Sequence, residues 1–496
     1  MENLQRKINS RGYIIYKKHY SLRSLQRYRK DLKVKPFVNK KVTFSVPNIY
    51  PVFLENNDKL CVPVYYGLEK FGEPDKNFLK DGDKINLEFN GELRDLQKPV
   101  VKSFLDQLKE KRNVYGGIIS IGCGQGKTVL SLYLISKIKR KTIIIVHKEF
   151  LLFQWRDRIK QFLPEAKIGI VQGKKVDIQN KDIVLVMLQS LAMKDYPLNL
   201  FKEFGFCITD ECHHISSEVF SKALPKVCMK YMLGLSATPK RKDGLSKVFH
   251  WFLGPTIYQG KRDKKNVKIN VLEYNNDDEN YSREELLGND KLCSSRMINN
   301  VAYYDRRTSF IVKIIIDMYK DDNRCMLILS DRRKHLQSMY DKLVEIDKDI
   351  SIGFYVGGMN QKRLDKSSKK RIILSTFSMS QEGLDIPTLN TVFFTTPKSD
   401  IVQSLGRILR KVHKDVLPTV WDIKDNFSLF AKQYLKRQRY YNKMDYEIYM
   451  YFVYDKGEDI DTLYKNSKNN CVHIEKKKRG RKKKDKIETT YAFIEG

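Results

Sequence analysis

Acidic residues are scarce in this chain. It holds 59 Asp and Glu against 93 Lys and Arg, a formal net charge of +34 with a pI of about 9.6. The eight cysteines form no Cys-x-x-Cys pair, so reduced, intracellular thiols and no zinc site are expected. No apolar run approaches the length of a membrane span, and the N-terminus is charged from Arg6 onward without an apolar signal region. The expectation is a soluble protein that is neither secreted nor in the membrane. No fixed-period repeat is visible. What the chain has in excess is positive charge, which predicts a polyanionic partner, most simply nucleic acid. A lysine-biased genome accounts for part of the same excess.

At 496 residues, 41% hydrophobic and 31% charged, the chain is too long for one ordinary core. Residues 1–41 interleave Lys and Arg with Tyr13, Tyr16, Tyr20 and Tyr28. They read equally as a stacking surface for bases and as a solvated face over a few core tyrosines. Residues 42–90 alternate apolar and polar positions in short runs, such as 42–46 and 61–64, and predict a small β-rich module. From Leu93 onward, short continuous apolar runs alternate with helical stretches. The runs are 118–121, 142–146, 168–171, 183–187, 206–208 and 232–235, then 267–272, 325–329, 352–355, 372–374, 392–394 and 419–421. Strands buried on both faces read this way, so two successive doubly wound parallel-sheet α/β domains are expected. Residues 275–290 read as a polar loop and 427–446 as a basic helix. The lysine-rich string at 476–484 reads as a disordered tail, electrostatic or a localisation signal.

Gly122-Cys123-Gly124-Gln125-Gly126-Lys127-Thr128 follows the 118–121 run and opens a helical pattern. Glycines let the backbone amides converge on a phosphate, and the following helix adds its positive end. Lys127 is placed to reach the β- and γ-phosphates of ATP, and the Thr128 hydroxyl to hold Mg²⁺. The usual first glycine of such a loop is Ile121 here. Downstream, Asp210-Glu211-Cys212-His213-His214 follows a strand. Asp210 suits Mg²⁺, and Glu211 suits a general base for the attacking water. Transition-metal chelation is the weaker reading, because consecutive residues point to opposite faces of a strand. Arg407 and Arg410, three apart, share one face if 403–410 is a helix, and can oppose γ-phosphate charge.

The ordered set of motifs resembles the superfamily 2 helicases of the DExH type. Leu93-Arg94-Asp95-Leu96-Gln97, 124–128, Gln154-Trp155, Leu188-Gln189-Ser190-Leu191, 210–213, Gly234-Leu235-Ser236-Ala237-Thr238-Pro239, Ser330-Asp331-Arg332, Thr376 with Glu382-Gly383-Leu384-Asp385-Ile386-Pro387, and 403–410 follow the family's order. Loops of this family do not require the first glycine, which accounts for Ile121. The strings at 234–239, 330–332, 382–387 and 403–410 resemble the XPB and phage UvsW branch. Shorter strings, Phe53 and 62–67, resemble the transcript-release DNA helicase of poxviruses and other large DNA viruses.

The resemblance implies two RecA-like domains, 91–262 and 263–455, after an α+β accessory module at 1–90 and before a basic tail at 456–496. It implies an ATP-dependent helicase or translocase acting on DNA, with RNA or a weakly catalytic scaffold as alternatives, and a transcription complex as partner. Catalysis falls to Glu211, Arg407 and Arg410, with Arg410 as the finger. Nucleotide binding falls to Gly124, Gln125, Gly126, Lys127, Thr128, Arg94, Gln97 and Asp385, with Arg94 and Gln97 on adenine. Mg²⁺ falls to Thr128 and Asp210. Coupling and strand contacts fall to His213, Ser236, Thr238, Gln189, Thr376 and Gln403. A viral source would place the protein in a cytoplasmic factory or virion, and the basic tail would also serve as a nuclear signal.

Overall fold

The computed structural model describes residues 5–37, 48–122, 124–197, 199–237, 241, 243–260, 266–288, 290–382, 384–411, 413 and 415–474. Two eight-stranded sheets form the body of the molecule. In the first, the strands run in the order Lys175–Asp177, Ile168–Gln172, Ile183–Met187, Thr142–Val146, Phe206–Thr209, Tyr231–Ser236, Tyr115–Ser120 and Thr256–Gln259. Every pairing is parallel except the first. In the second, the order is Ile352–Tyr355, Ile372–Thr376, Met326–Ser330, Thr391–Phe394, Thr419–Asp425, Lys268–Asn276, Glu447–Asp455 and Cys471–His473. There only the last pairing is antiparallel. These are two RecA-like α/β domains.

The continuous apolar runs have a direct cause. In Thr142–Val146, Ile143 and Ile145 enter the core on one face of the sheet, while Ile144 and Val146 enter the core on the other. In Ile372–Thr376, Ile372 and Leu374 pack on one side and Ile373 on the other. Helices cover both faces, so apolar side chains are buried on both sides of these strands.

The N-terminal module is a five-stranded sheet ordered Leu54–Glu55, Lys59–Val62, Gly12–Tyr16, Arg6–Asn9 and Lys76–Asn77. It carries two helices, Leu22–Leu32 and Val64–Phe71. The 61–64 run does not stay extended. Pro63 caps a helix that begins at Val64, because proline suits a helix start and cannot continue the ladder. That helix packs on the first large domain, with Tyr66 edge-on to Trp251 at 5.4 Å. The tyrosines of the basic segment resolve toward the core. Tyr13 is fully buried, and Tyr20 and Tyr28 pack edge-on to Phe71 at 5.7 and 4.9 Å. Residues 42–46 and the basic string at 476–484 lie outside the described residues.

Three elements depart from the sequence reading. Ile85 and Leu87, counted with the N-terminal module, are buried in the core of the first large domain. The second sheet continues past 455 to Cys471–His473, through the helix Ile460–Asn469. Within the 275–290 loop, Glu279–Ser282 forms one helical turn that buries Tyr281. The basic helix is Ser428–Met444, and it buries Tyr434, Arg437 and Tyr441.

A fully buried ion pair locks the second domain. Arg307 donates to Asp425 through Nε at 2.8 Å and Nη2 at 3.0 Å, and through Nη1 to the Thr395 carbonyl at 2.9 Å. Tyr281 adds a hydroxyl to the same carboxylate at 2.5 Å. Replacing Arg307 by Met strands a carboxylate without water. The expected loss is about 3–5 kcal/mol in denaturant unfolding of this domain. A change under 1 kcal/mol would show that Asp425 finds another partner.

Candidate active site

The glycine loop sits between strand Tyr115–Ser120 and helix Lys127–Ile138. Gly124 and Gly126 have φ of 78° and 81°, the left-handed region that a side chain resists. A Cβ at Gly126 would lie 2.2 Å from Gln97 Nε2, so the position is closed to any larger residue. Gln97 is the reason. It is 1% exposed, its Oε1 accepts from the Arg94 amide at 3.0 Å, and its Nε2 donates to the Gln125 and Gly126 carbonyls at 3.2 and 3.4 Å. The amide expected at adenine is spent on bracing the loop. Arg94 donates to the Gly124 carbonyl at 3.3 Å, and Gln125 Oε1 accepts from the Gly122 amide at 2.7 Å.

Lys127 Nζ is 2.8 Å from Glu211 Oε1, with both side chains largely buried. Glu211 takes a left-handed φ of 45° at the turn after strand Phe206–Thr209, which swings its carboxylate toward the loop. Burial alone would raise the Glu211 carboxyl. The Lys127 charge and His213, 3.4 Å from Oε2, overcome it and hold the group well below the ordinary range. Asp210 behaves in the opposite sense. Burial and the neighbouring Glu211 charge push it up. Its Oδ2 accepts the Trp155 indole N–H at 2.9 Å, and its Oδ1 accepts the Glu211 amide at 3.0 Å. His213 Nδ1 lies 3.2 Å from Ser236 Oγ, which ties this turn to the end of strand Tyr231–Ser236.

The second domain closes the cavity. The 403–410 segment is not one regular helix: Val402–Leu405 is α-helical and Gly406–Leu409 is a tighter 3-10 turn. Both arginines line the cavity, but they take different partners. Arg407 is 5% exposed and donates to the carbonyls of Ser380 at 2.5 Å and Leu384 at 2.9 Å. Arg410 lies across the loop, its Cγ 3.1 Å from where a Gly124 Cβ would stand. It pairs with Asp385, and its buried Nε has no hydrogen-bond partner. Asp385 also meets Arg158 of the first domain at 3.1 Å.

Of the residues expected at the site, one cavity of about 300 Å³ gathers Arg94, Gly124, Gly126, Lys127, Thr128, Asp210, Glu211, Asp385, Gln403, Arg407 and Arg410. Gln97 and Gln125 stand behind the loop, and His213 and Ser236 beneath the carboxylates. Gln189, exposed, opens helix Leu188–Met193, and Thr376 ends strand Ile372–Thr376 with its hydroxyl 3.2 Å from Ser378 Oγ. Neither lines the cavity. Thr238 lies outside the described residues. Motif reading gave no role to His147, His214 or Arg158, which also line the cavity, or to Trp155 behind Asp210. His147 stacks on His214 at 4.0 Å, and burial lowers both imidazoles, His214 to about 3. Trp155 and Arg158 are three apart on helix Glu149–Phe162, one face of which points to the cavity.

The arrangement pairs cation with carboxylate twice, Lys127 with Glu211 and Arg410 with Asp385, on opposite walls of a cleft. An anion entering it would satisfy Lys127 and Arg410 together and free Glu211. The family "Type III restriction enzyme, res subunit" matches residues 90–241, and "Helicase conserved C-terminal domain" matches 307–412. The Acanthamoeba polyphaga mimivirus protein named "Putative ATP-dependent RNA helicase" is 35% identical over 461 residues, 91% of this chain and 88% of that protein. The chain belongs to the superfamily 2 helicases. It is an ATP-hydrolysing helicase.

This superfamily 2 helicase is also similar to the "DNA 3'-5' translocase XPB2" of Sulfurisphaera tokodaii. Identity is 27% over 392 residues, 71% of this chain and 86% of that protein. Among solved structures it resembles S. cerevisiae Dbp5 bound to RNA and ADP BeF3. The TM-score is 0.50 at 12% identity, covering 75% of this chain and 92% of that one, a likeness of fold alone. Among the described residues no helix is long and apolar enough to cross a membrane.

Proposed function

We propose that the chain is an ATP-driven translocase on DNA, with the interdomain cavity as its engine. The observation that carries this is the facing of two pre-paired charges, Lys127–Glu211 and Arg410–Asp385, across a cleft built by both domains. Gly124 and Gly126 admit the triphosphate to the loop amides. Lys127 takes the β- and γ-phosphates in exchange for Glu211. Thr128 and Asp210 would hold Mg²⁺, which when bound would neutralise phosphate charge. Glu211, released, orients the attacking water, and Arg410 leaves Asp385 to meet charge on the γ-phosphoryl group. Trp155 fixes the Asp210 rotamer. Arg407 positions the segment from which Arg410 reaches. Each exchange draws the two domains together, and hydrolysis undoes it.

Gln189, on helix Leu188–Met193, and Thr376, at a strand end, both outside the cavity, are assigned to the tracked strand. Phosphate contacts of that kind tolerate any sequence and weaken with salt, as the +34 charge requires. DNA is favoured by the name of the Sulfurisphaera tokodaii relative, a DNA translocase. RNA is the second reading, favoured by the name of the mimivirus relative. The strings at Phe53 and 62–67, with a relative in a large DNA virus, support work in viral transcription elongation or transcript release.

ATPase rates measured with matched single-stranded DNA, duplex DNA and RNA test the proposal. DNA is expected to stimulate at least about tenfold more than RNA, with the half-saturating concentration rising steeply with salt. Stimulation by RNA alone would install the second reading. No stimulation by any of the three would remove the motor.

A further inference from the structure

A second cavity, of about 490 Å³, lies in the second domain away from the nucleotide cleft. It opens between the sheet and two helices, Asp305–Tyr319 and Ile460–Asn469, near the amino ends of the strands. Asn270 is in register with Trp421 on one side and Tyr449 on the other, so the three side chains stand together on one face. All three line the cavity.

Two polar atoms in it are unusual. Asn270 is 4% exposed and Trp421 8%, yet Asn270 Oδ1 and Trp421 Nε1 are both buried without a hydrogen-bond partner. Folding rarely leaves a strong acceptor and a strong donor unsatisfied, least of all side by side. The pair is complementary to a group that presents an N–H next to an acceptor. The surrounding walls are aromatic: Trp421 and Tyr451 have ring centroids 5.4 Å apart, and Tyr449 carries Lys268 Nζ 4.6 Å above its ring. Flat rings on the walls select a flat ligand. A lysine at the margin selects a negative charge attached to it.

We propose that this cavity binds a nucleobase. The ring stacks among Trp421, Tyr449 and Tyr451. Its edge donates an N–H to Asn270 Oδ1 and accepts from Trp421 Nε1, and its phosphate meets Lys268. Every common base offers an N–H beside an acceptor, so the site recognises the class. Such a base comes either from a free nucleotide or from an unstacked position in a bound strand.

The test uses the full chain with the motor cavity saturated by a non-hydrolysable ATP analogue and Mg²⁺. The 5′-monophosphates of adenosine, guanosine, cytidine and uridine are titrated by calorimetry. In parallel, single-stranded DNA carrying 5-iodouracil is photo-cross-linked and the attached residue is mapped. A free-nucleotide site gives one further binding event, weakened roughly tenfold or more by Asn270→Leu and by Trp421→Phe. A strand-derived base gives no such event but cross-links to Trp421, Tyr449 or Tyr451, and the same two variants reduce the yield. Thermal melting shows whether each variant folds. If Asn270→Leu does not, Trp421→Phe alone decides. No binding and no cross-link, or signals that folded variants leave unchanged, would overturn the assignment.

Discussion

Arg410→Ala is expected to lower kcat for ATP hydrolysis by roughly 10³-fold or more while leaving the KM for ATP within a few-fold. Arg410 reaches over the loop from the other domain, and its buried Nε lacks a partner in the present pairing with Asp385. It contributes little to holding the ground-state nucleotide, which rests on Lys127 and the loop amides. Its effect is concentrated where negative charge gathers on the γ-phosphoryl oxygens. Arg407→Ala makes the contrast. Arg407 donates to two buried carbonyls of its own domain, so its loss leaves those acceptors unsatisfied and should lower the melting temperature as well as the rate. Steady-state kinetics with thermal melting on both variants separates the roles. A normal kcat in Arg410→Ala, or loss of kcat through Arg407 without destabilisation, would exchange the two assignments.

Glu211→Gln is expected to reduce ATP turnover by roughly 10²–10⁴-fold with nucleotide binding kept or tightened. Glu211 pairs with Lys127 at 2.8 Å, so the triphosphate must displace it. Gln keeps the shape, removes that competing charge and cannot serve as a base. The same change relieves Asp210, which burial and the Glu211 charge hold above the ordinary carboxylate range. The Asp210 carboxyl should then titrate lower, so Mg²⁺-dependent nucleotide binding should persist to lower pH in the variant. Equilibrium binding of a fluorescent ATP analogue across pH, set beside turnover, reads both effects. Weaker binding than wild type at neutral pH would show that Glu211 supports the nucleotide and does not compete with it.

Much was legible in the chain itself. Twelve apolar runs corresponded to parallel strands because both faces of each sheet are covered, which leaves an unbroken hydrophobic signature. The loop at 122–128 and the carboxylates at 210–211 were legible because phosphate chemistry needs those residue types in a fixed local order. The strands Thr256–Gln259, Glu447–Asp455 and Cys471–His473 were missed. Thr256–Gln259 and Cys471–His473 are short edge strands with little apolar signal, whereas Glu447–Asp455 carries an unbroken run from Ile448 to Tyr454 that alternates between buried and more exposed positions.

Sequence could not decide direction. That Arg407 holds carbonyls of its own domain while Arg410 lies across the loop depends on the partners each meets in the fold, Ser380 and Leu384 for one and Asp385 for the other. That Gln97 braces the loop follows from its packing under Gly126. The Arg158–Asp385 contact joins residues 227 apart, and no local pattern encodes it. Local order determined which groups the protein carries, since adjacent residues share one strand or turn. Only the tertiary structure decided which group meets which, because the cleft brings side chains together from two separately folded sheets.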